Sequence, residues 1–95
     1  MAGYVIAHLT PKDPEPFEEY RKLVPGVIAQ FGGRYLVRGG AVEAKEGDWT
    51  IPRLVIVEFE SPDQARRFYD SPEYQAIIPL RQKGADGTVV IVEGV

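Results

Sequence analysis

Strand-forming and helix-forming segments alternate along this chain in an order that few folds can accommodate. Four segments are rich in the β-branched and aromatic residues that favour strands, and these are residues 3–10, 34–45, 52–60 and 88–93. Two segments, residues 14–31 and 62–83, carry apolar side chains at the three- and four-residue spacing typical of amphipathic helices. The order β-α-β-β-α-β, with right-handed crossovers, predicts a ferredoxin-like α+β fold, in which a four-stranded antiparallel sheet carries the helices on one face.

Serine, proline and glycine positions refine the boundaries of these elements. Ser61 and Ser71 are each followed by proline, which predicts two N-capped pieces in the second helical segment. Gln64, three residues after Ser61, predicts a reciprocal capping box. Pro25 predicts a kink or a restart of the first helix, because its ring would clash with the preceding turn. Gly39-Gly40 predicts a bulge or a sharp bend within the second strand.

Length and composition limit the possible partners and cofactors. The 95 residues are the size of one domain, so residues 1–95 are predicted to form a single domain. A chain this short buries only about 60–65% of its unfolded surface, so covering another face with a second subunit would stabilise it. There is no cysteine, which excludes disulfides, thiolate nucleophiles and cysteine-ligated metals. The net charge of −3 argues against nucleic acid or a membrane as partner. The sequence shows no leader-like segment and no apolar run long enough to span a membrane, so a cytoplasmic location is expected.

The two faces of the predicted sheet differ in chemistry, because neighbouring strand residues point to opposite sides. The wholly apolar set, which is expected to meet the helices, is Val5, Ala7, Leu9, Val55, Val57, Phe59, Val90 and Val92. The other set mixes aliphatic and ionisable side chains, and it is Tyr4, Ile6, His8, Arg34, Leu36, Arg38, Leu54, Ile56, Glu58, Val89, Ile91 and Glu93. Such a mixture fits neither open solvent nor a sealed core, so it predicts a homodimer interface that encloses a polar cavity.

The ionisable side chains of the mixed face are the candidate functional groups. His8 is the only histidine, and its unperturbed pKa of about 6.5 makes it the candidate catalytic acid or base. Arg34 and Arg38 carry planar guanidinium forks that suit a carboxylate or an enolate. The alternative is structural, with a hydrogen-bonded histidine and with arginines that form cross-strand ion pairs with Glu58 or Glu93. One imidazole does not make a metal site, so no metal or cofactor is predicted, and haem ligation by His8 is the alternative.

Two aromatic residues outside the predicted strands are further candidates. Trp49 lies in the loop EGDWTIP, where it would cover a pocket or fill a gap between subunits. Tyr74 would point its hydroxyl into the same cavity, although its place in an apolar helical stripe also predicts a core position.

Three segments together resemble one known family, and they are FGGRYLVRGG (31–40), EGDW followed by PRLVIVEF (46–59), and SPEYQAIIPLR (71–81). Their order and spacing resemble the domain-of-unknown-function family 1330 of the dimeric α/β-barrel superfamily, over nearly the whole chain. The resemblance implies a ferredoxin-like subunit whose sheet packs against that of its twin. It implies no reaction, and a small-molecule pocket follows only by analogy with neighbouring families. The polar positions that match its motifs, implied as substrate-binding residues, are Arg34, Arg38, Trp49, Arg53, Glu58 and Tyr74.

These observations favour a small-molecule-binding protein or a cofactor-independent enzyme. Its polar pocket is expected on the open sheet face near the dimer interface, with a small anionic or aromatic ligand. The alternative is a non-catalytic homodimer, a structural, sensor or accessory protein in which the same charges only fix the interface. An RNA-recognition module shares the element order, but the third strand lacks the required glycine and basic-aromatic pattern and the charge is unsuitable.

Overall fold

The element order expected from the sequence is present in the computed structural model, which describes residues 1–95. The seven elements are β1 (Gly3–Pro11), α1 (Pro14–Gln30), β2 (Arg34–Arg38), β3 (Arg53–Phe59), α2 (Pro62–Asp70), α3 (Pro72–Gly84) and β4 (Ala85–Glu93). The strands form one four-stranded antiparallel sheet in the order β2-β3-β1-β4. The predicted ferredoxin-like α+β fold is therefore confirmed, with the second helical segment divided into α2 and α3.

Serine caps begin both α2 and α3, as the sequence predicts. Ser61 Oγ accepts a hydrogen bond from the backbone N–H of Gln64 at 3.0 Å, and Ser71 Oγ accepts one from the N–H of Tyr74 at 3.1 Å. The reciprocal half of the capping box is absent, because the Gln64 side chain donates to the carbonyl oxygen of Phe31 at 2.9 Å. That hydrogen bond connects the start of α2 to the C-terminal end of α1.

The first helix runs through Pro25 as one element, so of the two predicted outcomes, a kink or a restart, the restart does not occur. Val24 and Ile28, on either side of the proline, are both buried in the same core and hold the two halves of the helix against it. The chain leaves the helix at Gly32, whose φ of +75° is a conformation that glycine adopts without steric cost.

The second strand is shorter than the sequence predicts. β2 ends at Arg38, Gly39 turns the chain with a φ of +72°, and residues 41–45 form no strand. The irregularity expected at Gly39-Gly40 lies earlier, as a bulge between Tyr35 and Val37. Residues 41–50 are exposed throughout, so no buried face holds their alternating pattern in a ladder.

The pairing of β1 with β4 corrects one predicted sheet face. Val5 lies opposite Ile91, and Ile6 lies opposite Val90. Ile91 and Val89 therefore face the helices, whereas Val90 faces the other side, so the whole of β4 is reversed relative to the prediction. A shift of one residue in register moves every side chain of a strand to the opposite face, and alternation within β4 alone could not decide between the two registers.

The hydrophobic core lies between the helices and the sheet face that carries Val5 and Val57. Its centre is a run of aromatic rings, in which Phe68 stacks on Phe59 with centroids 5.1 Å apart and on Tyr74 at 4.4 Å. All three helices contribute side chains to this core. None of them combines the length and the hydrophobicity that crossing a bilayer requires.

Gly84 marks a close approach between the end of α3 and the start of α1. A Cβ at this position would lie 2.6 Å from the backbone nitrogen of Phe17, which is closer than heavy atoms tolerate without a bond. Gly84→Ala is therefore expected to lower the free energy of unfolding by about 1–3 kcal/mol, as overpacking does in other cores. Urea denaturation of the two proteins measures the difference.

Gly26→Ala is the matched control for this substitution. Gly26 lies inside α1, and a Cβ there meets nothing within 4 Å. Removing a glycine from a helix interior should raise the free energy of unfolding by about 0.5–1 kcal/mol. Two substitutions with the same effect would contradict the close packing of Gly84.

Candidate functional site

The sheet face turned away from the helices, here called the open face, is mainly aliphatic. By strand register its members are Tyr4, Ile6, His8, Arg34, Val37, Leu54, Ile56, Glu58, Thr88, Val90 and Val92. Val90 and Val92 remain 43% and 41% exposed in the single chain. The face therefore offers the mixed but largely apolar surface that the sequence assigned to a subunit contact.

Arg34 and Glu58 form a cross-strand ion pair on the open face. Arg34 Nε and Nη2 lie 2.7 and 2.6 Å from Oε1 of Glu58, and the hydroxyl of Tyr4 donates to Oε2 of the same carboxylate at 3.3 Å. For these two residues the structure shows the ion pair that the sequence left as the structural alternative. Both oxygens of the Glu58 carboxylate thus have partners within the chain.

Arg38 and Arg53 lie on the opposite side of the sheet from Arg34. Arg38 pairs with Val55 and Arg53 pairs with Leu9, and both partners face the helices. The expectation that Arg38 joins Arg34 on the open face is therefore wrong. The bulge after Tyr35 adds one residue to β2, which reverses the side on which the following residues point.

The side chains of His8 and Trp49 lie next to each other on the open face. Their ring centroids are 6.3 Å apart with the planes at 86°, an edge-to-face arrangement. Trp49 is 64% exposed and lies in the long segment between β2 and β3. No group of three or more histidine, aspartate or glutamate side chains is arranged to hold a metal ion.

A cavity between α1 and the sheet, here called the arginine cavity, brings together residues that the sequence did not group. It holds about 50 Å³ of water-accessible space, and its wall is mostly aliphatic and aromatic. Its polar side chains are Tyr20, Arg21, Tyr35, Arg38, Arg53 and Tyr74. A wider vestibule of about 370 Å³ shares Phe17, Arg21 and Arg53 with it and so lies at its mouth.

Three guanidinium groups line the arginine cavity, with one carboxylate beside them. Arg21 Nη1 donates to Glu18 at 2.8 Å, but the Nε of Arg21 is buried without a hydrogen-bond partner. Arg38 lies over the ring of Tyr35 at 4.6 Å, and no carboxylate lies within ion-pair distance of Arg38 or Arg53. Burial, followed by the charges of Arg21 and Arg38, lowers the pKa of Arg53. The site is therefore partly desolvated at Arg21 and Arg53, Arg38 is exposed, and the three guanidinium groups carry excess positive charge.

Three tyrosines complete the polar part of the cavity wall. The hydroxyl oxygens of Tyr20 and Tyr74 are 2.9 Å apart, and both side chains are buried. Burial raises the pKa of Tyr20, and the neighbouring Tyr74 raises it further. Burial also raises the pKa of Tyr35, against the opposing effect of Arg38 and Arg53. The two shifted hydroxyls, of Tyr20 and Tyr35, are therefore neutral hydrogen-bond donors at neutral pH.

The sequence does not predict three of the residues that line the cavity, Arg21, Tyr20 and Tyr35, as site residues. Arg21 lies four residues after Phe17 on the buried stripe of α1, and a charged residue at that position is the signal that could have identified it. Tyr35 follows Arg34 in the strand and therefore points to the helix side. No local pattern distinguishes that side from the open face.

Comparison with known proteins places the chain in a family. The family model described as a domain of unknown function, DUF1330, matches residues 2–95. The chain belongs to the DUF1330 family. No curated protein sequence matches the chain.

Solved structures share the fold of this DUF1330 chain. A protein of unknown function from Rhodopseudomonas palustris superposes with a TM-score of 0.74 at 17% identity, over 99% of this chain and 82% of its own. A dimeric ferredoxin-like protein of unknown function from Jannaschia sp. CCS1 gives 0.73 at 13% identity, over 99% and 100%. SnoaB, a cofactor-independent oxygenase from Streptomyces nogalater, gives 0.58 at 15% identity, over 99% and 92%. At these identities the similarity shows the fold.

The polar positions that match the DUF1330 motifs lie on both sides of the sheet. Arg38, Arg53 and Tyr74 line the arginine cavity. Arg34 and Glu58 form their ion pair on the open face, and Trp49 contacts His8 there. A single pocket built from all six, as the sequence predicted on the open face, is therefore not present in the single chain.

Proposed function

We propose that this DUF1330 protein binds a small organic anion in the arginine cavity. The anionic group would lie between Arg21, Arg38 and Arg53 at the mouth, and the apolar part would occupy the space between α1 and the sheet. The observation that carries the proposal is the gathering of three guanidinium groups on an apolar cavity with only Glu18 paired to them. The pocket expected on the open face is thus moved to the other side of the sheet.

The physical argument rests on the cost of these charges without a ligand. A partly buried cation loses hydration, and that loss is compensated only by a nearby anion or by hydrogen-bond acceptors. The buried Nε of Arg21 has no acceptor, and the partly buried Arg53 has no carboxylate partner, so the cost falls on these two, whereas Arg38 is exposed. A bound carboxylate or enolate supplies acceptors to several guanidinium nitrogens at once, in the planar geometry that arginine favours.

The cavity wall favours binding over acid–base catalysis. The groups that most often transfer protons in enzymes are imidazoles and carboxylates, and none lines the cavity. SnoaB, which shares the fold, is a cofactor-independent oxygenase. For this chain we propose that the side chains of the cavity bind the ligand. Whether the protein also converts the bound anion into a product is answered by assaying that anion for chemical change.

The ligand should be short. The cavity's 50 Å³ exceeds the roughly 10–15 Å³ that one water needs, but it holds only a few non-hydrogen atoms. The vestibule of about 370 Å³ extends the same space toward solvent past Arg53. An anion with a chain of a few carbon atoms fits this combination.

We also propose that two copies associate through their open faces. The open face exposes aliphatic residues such as Val90 and Val92, and the exposed Leu36 lies at its edge in β2. Burying such a surface stabilises a small domain, because apolar area is removed from water. The protein from Jannaschia, which shares the fold, is dimeric.

Pentanoate provides the first test of the arginine cavity. In a titration followed by ¹H–¹⁵N NMR, we expect pentanoate to shift the amide signals of residues around the cavity, including those near Arg53. Arg53→Gln should raise the dissociation constant about tenfold or more, because a hydrogen bond to a charged group contributes about 1.5–3 kcal/mol.

Arg34→Gln is the matched control, since Arg34 carries the same charge on the open face. It should leave pentanoate binding unchanged. Equal weakening by both variants would indicate a general effect of net charge, and the absence of any pentanoate binding to the wild-type protein would overturn the proposed function.

A further inference from the structure

The hydroxyl groups of Tyr20 and Tyr74 form a pair on the wall of the arginine cavity. Their oxygen atoms are 2.9 Å apart, and either can be the donor. Both side chains line the cavity, and neither lines the vestibule. Tyr20 and Tyr74 are also 8% and 3% exposed, whereas Arg53 is only partly buried, so the pair lies deeper than Arg53.

A count of donors shows that this pair is incomplete. Each tyrosine hydroxyl has one O–H donor, so two donors are present, and the hydrogen bond between them uses only one. The second O–H has no acceptor among the side-chain hydrogen bonds of these residues. Tyr74 is 3% exposed, so this donor cannot be satisfied by bulk water.

We propose that the Tyr20–Tyr74 pair donates its second O–H to an oxygen atom of the bound anion. The ligand class is then a short carboxylate that carries a carbonyl group some carbon atoms from the anionic end, that is, an oxo acid. This inference rests on the proposed function, since the carboxylate end is assigned to the three arginines. It adds a preference that the arginines alone do not provide.

The surroundings of the pair support a donor role. The cavity wall also includes the apolar Val24, Ile28 and Phe68, which offer no hydrogen bond to a carbonyl oxygen, and Tyr35 is the one other hydroxyl that lines it. Burial raises the pKa of Tyr20, which keeps its hydroxyl protonated. A plain alkanoate of the same length leaves the second O–H unsatisfied, whereas an oxo acid satisfies it.

The test compares two matched pairs of anions, pentanoate with 4-oxopentanoate and hexanoate with 5-oxohexanoate. The two pairs place the carbonyl group at two distances from the carboxylate. In NMR titrations of the wild-type protein, at least one oxo acid should bind more tightly than its alkanoate. The expected ratio of dissociation constants is about tenfold, as a net hydrogen bond of roughly 1.4 kcal/mol gives.

Single and double tyrosine variants isolate the contribution of the pair. In Tyr20→Phe or Tyr74→Phe, one hydroxyl remains and its O–H is free, so each single variant should keep the preference for the oxo acid. In the double variant both hydroxyls of the pair are gone, and the ratio should fall to about one although Tyr35 keeps its hydroxyl. Tyr69→Phe is the control, because the Tyr69 ring packs against Tyr74 with centroids 5.5 Å apart but does not line the cavity.

The outcomes separate this inference from the proposed function. If pentanoate binds and requires Arg53 but the wild-type protein shows no preference, or the double variant keeps it, the tyrosine assignment is overturned while the anion site stands. If neither the alkanoates nor the oxo acids bind, both are overturned. Because each single variant leaves one free O–H, loss of the preference in either one would contradict the donor count, even where the double variant is unstable.

Discussion

Phe68→Ala is expected to lower the free energy of unfolding by about 3–5 kcal/mol, the range seen when a buried phenylalanine is truncated in other cores. Phe68 is 2% exposed and lies between Phe59 and Tyr74, with a third aromatic ring, Phe31, at 6.3 Å. A small domain has only about 5–15 kcal/mol of stability in total, so this variant should be close to unfolding at room temperature. Urea denaturation followed by circular dichroism measures the change.

Leu23→Ala serves as the control for this prediction. Leu23 is also apolar and helical, but it is 42% exposed on α1, so its truncation should cost less than about 1 kcal/mol. Phe68 also lines the arginine cavity, and its removal should enlarge that space enough for benzene to bind and to raise the stability of the variant. A loss no larger than that of Leu23→Ala would contradict the central position of the Phe68 ring.

Local chemistry is what the sequence predicts well in this fold. Ser61 and Ser71 cap their helices because a serine followed by proline satisfies a free N–H whatever the tertiary structure is. The buried stripe of α1, from Phe17 to Ile28, follows from helical spacing alone. The order of strands and helices then restricts the topology to few alternatives.

Features that depend on register could not be predicted in the same way. One extra residue at the bulge beside Tyr35 moves Arg38 from the open face to the arginine cavity, and the bulge has no distinct sequence signal. The face of β4 is decided by the pairing of Val5 with Ile91, a contact between distant parts of the chain. The sequence therefore places Arg38 on the open face, whereas the strand pairing places Arg38, like Arg53, on the helix side.

The sheet separates the two proposed roles of the chain. Ala7 points into the arginine cavity, whereas its neighbour His8 points to the open face, and Val55 and Ile56 alternate in the same way. A substitution on one face leaves the side chains of the other in place. Binding of the anion and association of the two copies can therefore be changed independently.

Val90→Asp is expected to abolish the proposed homodimer. Val90 lies on the open face opposite Ile6 of β1, and Ile6 in turn lies opposite Ile56 of β3. Packing a second copy on this face would bury the new carboxylate without a partner, which costs several kcal/mol. The dissociation constant of the dimer should rise by about a thousandfold or more, since each 1.4 kcal/mol is tenfold.

Sedimentation equilibrium over a range of concentrations measures the dissociation constant of the dimer. Leu23→Asp is the control, because it places the same charge on an exposed position of α1. The control should keep the dimer, and the Val90 variant should sediment as a monomer while pentanoate still binds at the arginine cavity. A Val90→Asp protein that stays dimeric would require an interface elsewhere, on the helices or at the edge strands. Loss of pentanoate binding in a folded monomer would instead show that the second copy contributes to the cavity, because the open face and the cavity are separated by the full thickness of the sheet.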